Sequence, residues 1–460
     1  MTPDRRCRPQ PKMGVPHNAS LSWIIGAAKL PVANGSRPAH RRRKHRRPSE
    51  RPRRALPRLK GSPESSRSGP YQPTTIASPG SIRDHGLIPA LPNNGRYRVG
   101  ARDRSERRFR LVERDAEAIM SKPSLPDEFE LIARYFAPLA RGFPGAYGLL
   151  DDVALITPAS GNELAVKTDT IVAGIDFLPD DPANLVARKA LRVNLSDLAA
   201  KGAVPRAYLL DLVLPNTVDE AWIADFAAGL AHDQAEYGIH LIGGDMSSTA
   251  GPITIAVTAI GEVPIGRVIR RGGAQAGDTV FVTGTIGDAA LGLSVLRAAL
   301  PSLDAASAAF LVDRHRLPQP RVSLGPQLIG IATAALDVSD GLVADLRHIC
   351  AVSRLSAVIE TRLVPLSPAA RVAIDDDPER LATALTGGDD YEILFTAPPA
   401  ATARVGVLSR LFDTLIAPIG CMTALAGGAQ PGVVVLDNVG RPLSFASEGW
   451  THFRSRSDVR

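Results

Sequence analysis

Cysteine, aromatic residues and long apolar runs are all scarce in this chain, and each scarcity excludes a class of protein. Of the 460 residues only three are cysteine, Cys7, Cys350 and Cys421. Their odd number and scattered spacing argue against a disulfide framework or a zinc site and fit a reducing, cytoplasmic compartment. No apolar run is long enough to cross a bilayer, and Leu21–Ala28 is too short for a secretory core, so no membrane partner is expected. There is no G-x-x-x-x-G-K-[ST] loop, which argues against P-loop nucleotide chemistry, and no G-x-S-x-G elbow for acyl transfer. His315 and His348 read as surface or packing residues.

Negative charge is outnumbered about three to one in the first part of the chain, with 9 Asp+Glu against 27 Lys+Arg in residues 1–119. The total is +7 with a pI near 9.5, but residues 1–119 carry about +18, which leaves about −11 on residues 120–460. The body is therefore acidic, and to meet a polyphosphate it needs cations in between. Residues 1–119 are rich in Arg, Pro and Ser, with the run Arg41–Arg47, and lack the apolar period needed to fold alone, so disorder is expected. Three readings stay open for them: a nucleic-acid-binding arm, a targeting segment, or translated sequence upstream of the genuine start. Met120, just ahead of the first helical pattern at Asp127–Leu139, favours the third, and no nucleic-acid partner is expected.

From there the chain reads as mixed α/β. Helical periods cover Ala183–Ala200 and Glu220–Tyr237, and strands are expected at Leu164–Val166, Arg206–Leu214, Ile239–Ile242 and Ile253–Ile260. The Gly- and Arg-rich segment Pro264–Gly277 reads as a connector, placing a domain boundary near residue 265 between 120–265 and 266–455. The second domain opens with the strand Thr279–Thr283, followed by helix Gly287–Leu300, strand Ala334–Val338, helix Gly341–Ser353 and a late strand near Val433–Leu436.

The informative pattern is a recurring run that ends in Asp beside Gly, Ser or Thr: Asp151-Asp152, Thr168-Asp169, Asn194-Leu-Ser-Asp197, Gly244-Asp245 and Asp337-Val-Ser339-Asp340. Any one of these would serve as a cap or turn. Five together, four expected at strand exits and with little counter-charge beside them, suit hard divalent cations such as Mg²⁺. Thr283-Gly-Thr-Ile-Gly287 and Arg267, Arg270 and Arg271 are weaker candidates for holding phosphate.

In this order the motifs resemble the thiamine-monophosphate kinase family. The resemblance runs from Asp127 to Phe453 and includes Asn194-Leu-Ser-Asp-Leu-Ala-Ala-Lys-Gly-Ala203, Ile242-Gly-Gly-Asp245, Asp337-Val-Ser-Asp-Gly-Leu342, Gly387-Gly-Asp-Asp-Tyr-Glu392 and Gly449-Trp-Thr-His-Phe453. It implies a two-domain α/β (α+β) fold of the aminoimidazole-ribotide synthetase type, with N-terminal domains pairing into a barrel-like homodimer interface. It further implies ATP-dependent phosphorylation of thiamine monophosphate to thiamine diphosphate by direct in-line transfer. By resemblance, Asp152, Lys167 (through its backbone), Thr168, Asp169, Asp197, Asp245, Asp337 and Asp340 are ligands to several Mg²⁺ ions. Gly244, Asp245, Arg271 and Ser339 contact ATP, and Asp176, Asp389 and Trp450 contact thiamine monophosphate. Three positions depart from the family pattern: Leu150 stands where a Gly is usual, Asp176 replaces a frequent His, and Asp389 a frequent Glu. The rival enzymes are selenophosphate and aminoimidazole-ribotide synthetases, the first of which carries an early reactive Cys that this body lacks. Deleting residues 1–119 is expected to leave turnover undiminished; loss of activity in that truncation would overturn the upstream-sequence reading.

Overall fold

The computed structural model describes residues 125–451. The basic extension 1–119 and the candidate start at Met120 lie outside the described residues. The expected first helix is present but irregular. Asp127 caps it by accepting the Glu130 N–H at 2.9 Å. After one α-turn at Glu128–Leu131 the pitch widens to a π-turn at Ile132–Phe136 and tightens to 3₁₀ at Ala137–Ala140. Pro138, with no N–H to give, prevents a regular continuation.

The first sheet comprises β1 (Asn162–Val172), β2 (Val204–Pro215), β3 (His240–Thr249) and β4 (Thr254–Pro264), in the order β1-β4-β2-β3. Only β2 and β3 run parallel, and the helix between them, α2 (Glu220–Tyr237), supplies the crossover that parallel pairing requires. α2 begins where Asp219 accepts the Trp222 N–H and ends at Gly238 in the left-handed conformation, so its limits match the sequence reading. α1 (Ala183–Ala200) packs beside it on the same face, and Leu191, Leu195, Ile223 and Phe226 meet Leu210, Leu212, Ile255 and Val257 of the strands. The opposite face is covered in part by Ala140, Ala146 and Ile156, but leaves Val166 exposed.

The second sheet is six-stranded, in the order β10-β7-β9-β5-β8-β6, with β5 (Thr279–Thr283), β6 (Ala334–Asp337), β7 (Ser356–Glu360), β8 (Ile393–Ala397), β9 (Ile416–Thr423) and β10 (Val433–Leu436). Val280 and Val282 of β5 point into a core shared with α5 (Leu342–Ser353), whereas Phe281 points to the other face and stacks on Phe395 with ring centroids 5.2 Å apart. That second core also holds Ala199 and Ala200, so the C-terminal end of α1 is buried against both sheets. Helices α3 (Asp288–Leu296), α4 (Ala305–Arg316), α6 (Pro368–Asp376), α7 (Arg380–Thr386) and α8 (Thr402–Leu411) complete the described part.

Several strands are longer than expected. β1 runs straight through Lys167, Thr168 and Asp169, and β3 through Gly244 and Asp245, so these residues lie inside strands and not at their exits. Reading strands by apolar content stops them at the first polar residue, whereas ladder hydrogen bonds continue regardless of side chain. Helices α4, α6, α7 and α8 and strands β7, β8 and β9 were not anticipated.

Because α1 is buried nearly all round, its polar residues need partners. The fully buried Asp233 of α2 binds Arg192 through Nε at 2.6 Å and Nη2 at 3.0 Å, and Arg188 at 2.8 Å, while Arg192 also reaches Glu236 and the Pro318 carbonyl. Asp233→Ala removes the buried carboxylate shared by two guanidinium groups, one of them buried, and is expected to lower the unfolding free energy by about 3–5 kcal/mol. Urea denaturation measures it; a loss below about 1 kcal/mol would show that the pair does not brace the two helices.

Candidate active site

The site begins with two residues on one strand. Lys167 and Asp169 are two apart on β1 and share the face that packs on α1. Lys167 Nζ lies 2.8 Å from Asp197 of α1 and 3.0 Å from Asp169. It is thus the Lys167 ammonium that sits among the carboxylates. Burial alone would lower its pKa, but the charges of Asp197 and Asp169 raise it, so it stays protonated. Burial raises the Asp169 pKa in spite of Lys167.

From the second sheet, β6 delivers Asp337, and the loop after it delivers Ser339 and Asp340. Asp345 of α5 gathers this loop by accepting three N–H groups, from Ser339 (3.0 Å), Asp340 (2.9 Å) and Gly341 (3.1 Å), on one carboxylate oxygen. Burial, followed by the charge of Asp340, pushes Asp345 up to about 7 against those donors. The loop is clasped from outside as well: the N–H groups of Asp389, Tyr391 and Trp450 donate to the carbonyls of Ser339, Val338 and Asp340. Gly388 has φ 76°, and a Cβ there would sit 2.2 Å from the Ser339 oxygen, so only glycine fits.

These pieces enclose a cleft of about 240 Å³. Among its lining residues are Lys167, Asp169, Asp176, Asp197, Arg271, Asp337, Ser339, Asp340, Asp389 and Trp450. Asp337 is buried, and its pKa is raised well above the ordinary range by burial and then by the charge of Asp197. Its Oδ2 is buried without a hydrogen-bond partner. Several carboxylates lining one cleft, one of them with a buried oxygen that has no partner, form a donor set that suits hard cations.

Four sequence-predicted residues are not in this cleft. Asp152, Gly244 and Asp245 line a separate groove of about 380 Å³, and Thr168 faces away from Lys167, bonded to Val257 and Thr258. Asp169 and Asp245 stand on opposite edge strands of the first sheet, three strand spacings apart, or about 14 Å. Asp176 accepts the Val172 N–H at 2.8 Å, closing its own turn. Leu150 has φ −108°; the left-handed residues lie just before it, at Tyr147, Gly148 and Leu149, so its backbone does not need the family's glycine. Trp450 is 46% exposed at the cleft and is not a core residue. Arg271 alone of the three connector arginines lines the cleft.

Comparison with known proteins places this geometry. The family described as AIR synthase related protein, N-terminal domain, matches residues 150–263. The thiamine-monophosphate kinase of Escherichia coli K12 is 42% identical over 328 residues, covering 71% of this chain and 98% of that protein. The chain belongs to the thiamine-monophosphate kinase family. Among solved structures, the thiamine-monophosphate kinase of Stenotrophomonas maltophilia K279a aligns with a TM-score of 0.58 and 35% identity, over 71% of this chain and 95% of that one. AaThiL complexed with AMPPCP and TMP aligns at 0.56 and 29%, over 67% and 97%.

The sequence reading missed several residues that line this kinase's cleft. Lys189, Val193 and Asp197 recur every fourth residue on α1 and all face the cleft. That spacing was legible once Asp197 had been singled out. His315, read as surface or packing, is buried but also lines the cleft; it arrives on α4, which gave no signal. Burial, ahead of the nearby Lys189 charge, pushes His315 down to about 4 from 6.5. Between those values the unfolded chain takes up a proton that the folded chain refuses, so this contribution to stability is lost as pH falls through the window. The stability advantage of the wild type over His315→Gln should therefore shrink between neutrality and about pH 4.5 in urea unfolding; a constant difference would exclude a neutral, buried His315.

Proposed function

We propose that this kinase transfers the γ-phosphate of ATP directly to the phosphate of thiamine monophosphate, yielding thiamine diphosphate, in the acidic cleft between its two sheets. The observation that carries the reading is that Asp169, Asp197, Asp337 and Asp340 line one cleft, in which the buried Asp337 Oδ2 has no hydrogen-bond partner. The complex of AaThiL with AMPPCP and TMP supports the same pair of substrates.

Donor and acceptor are both anionic, and the cleft lining is itself acidic. Mg²⁺ held by Asp169, Asp197, Asp337 and Asp340 would supply the charge neutralisation and alignment that in-line transfer demands. The chain's own residues do the rest. Arg271 and Ser339 hold the nucleotide, and Trp450 offers its ring face to the thiamine ring system beside Asp389. A phosphate oxygen is already a competent nucleophile, so no general base is assigned. Asp176, committed to its own turn, shapes the substrate end by its backbone.

A homodimer completes the site in this reading. The first sheet has free edges at β1 and β3 among the described residues and an incompletely covered face bearing Val166. Closing two such sheets into a barrel brings the β3 edge of one protomer, with Gly244 and Asp245, beside the β1 edge of its partner, so that ligands about 14 Å apart within one chain serve a common site. The nearby Asp152 and Thr168 belong to the same shared set. The two sheets mark separate domains with the boundary near residue 265. ATP as co-substrate and the few, widely spaced cysteines fit the cytoplasm.

The first test is an assay of purified protein with ATP, Mg²⁺ and thiamine monophosphate, following thiamine diphosphate; a folded but silent sample would overturn the proposal. Asp197→Asn and Asp245→Asn should each cut turnover by about 100–1,000-fold with the fold intact. Mixed dimers of these two variants should recover activity if the site is shared. Mixed dimers that stay inactive would place both residues in the site of one chain.

A further inference from the structure

Lys189 is buried at 2% exposure in the middle of α1, yet its ammonium does not serve the helix. It donates to the Asp176 carbonyl at 2.8 Å and to Asp389 Oδ2 at 2.9 Å, joining α1, the turn after β1 and the loop before β8. His315 Nδ1 lies 3.5 Å from the same Asp389 oxygen, beyond hydrogen-bond reach for a well-formed bond, and is buried without any hydrogen-bond partner. Asp389 itself has φ 65° and Tyr391 φ 53°, left-handed conformations that non-glycine residues seldom keep. The Asp389 side chain is 30% exposed and lines the cleft together with Trp450.

A structural ion pair would be satisfied without these features. A buried lysine paired with a carboxylate seldom stabilises a fold more than a well-packed apolar pair would, and strained backbone persists where surrounding contacts hold a group for a purpose.

We infer that Lys189 and His315 are positioning residues of the substrate subsite, which together fix the Asp389 carboxylate in the direction where it meets the cationic ring system of the acceptor substrate. Partial burial would raise the Asp389 pKa, but the charge of Lys189 and hydrogen bonds from Lys189 and Tyr391 hold it below the usual range, so the carboxylate keeps its charge. The inference rests on the kinase reading, and wild-type turnover of thiamine monophosphate tests that reading separately.

Steady-state kinetics on the full chain test the inference, with Lys189→Met, Lys189→Arg, His315→Gln, Asp389→Asn and the double variant Lys189→Met/Asp389→Asn. Lys189→Met should raise KM for thiamine monophosphate about tenfold while KM for ATP and kcat stay within about threefold, and Lys189→Arg should restore part of the loss. The double variant should be no worse than Asp389→Asn alone, because Lys189 acts through Asp389. Additive losses, or equal effects on both substrates, would overturn the assignment. Should Lys189→Met fail to fold, as read by its thermal unfolding, His315→Gln carries the same test: a selective rise in the KM for thiamine monophosphate supports the inference and unchanged kinetics overturn it.

Discussion

Everything in the described structure depends on burying one helix, α1, against both sheets. A helix apolar on one stripe could cover a single sheet; α1 contributes Leu191 and Leu195 to one core and Ala199 and Ala200 to another. Its polar residues are therefore enclosed, and each has been given work. Arg192 locks to Asp233 of α2, Asn194 bonds back to the Ala190 carbonyl, and Ser196 donates to the Tyr391 carbonyl. Lys189 and Asp197 emerge toward the cleft. The same helix that fastens the two sheets thus carries charged side chains to the cleft between them, so the position of the cleft is fixed by the packing of the core.

The electrostatics follow from that enclosure. Carboxylates forced together away from water resist ionisation, which is why Asp169 and Asp337 are raised, and a cation relieves them. Lys167 supplies one such charge from the protein itself. The net charge of the whole chain points the other way, because the basic residues are concentrated before residue 120. Asp345 and the strap of N–H groups from Asp389, Tyr391 and Trp450 hold the Asp337–Gly341 loop in place, so the acidic groups are presented by backbone clamps that contribute no charge to the cleft themselves, apart from Asp389.

Much of the fold and of the family was legible in the residues. α1, α2, β5 and β10 were read with the limits they have, since strong helical periods, the Asp219 and Gly238 caps and short apolar runs are local signals. The aspartate motifs, taken in order, indicated phosphoryl transfer. Strand lengths were not legible, because β1 and β3 continue through polar residues that only their pairing partners explain. Lys189 and His315 were missed for a related reason: each lies within an ordinary helical stretch, and what makes them part of the cleft is a contact with Asp389, 200 residues from Lys189 in the chain.

The sequence by itself determined the family, through the order of its motifs, and the kinase activity through that resemblance. Only the tertiary structure decided which aspartates share a cleft. Asp169, Asp197, Asp337 and Asp340 converge because α1 is packed between the sheets, whereas Asp152 and Asp245 lie apart because strand order sets β1 and β3 on opposite edges. Strand order and helix burial arise from contacts between distant segments, and such contacts leave no mark in the local spacing of residues.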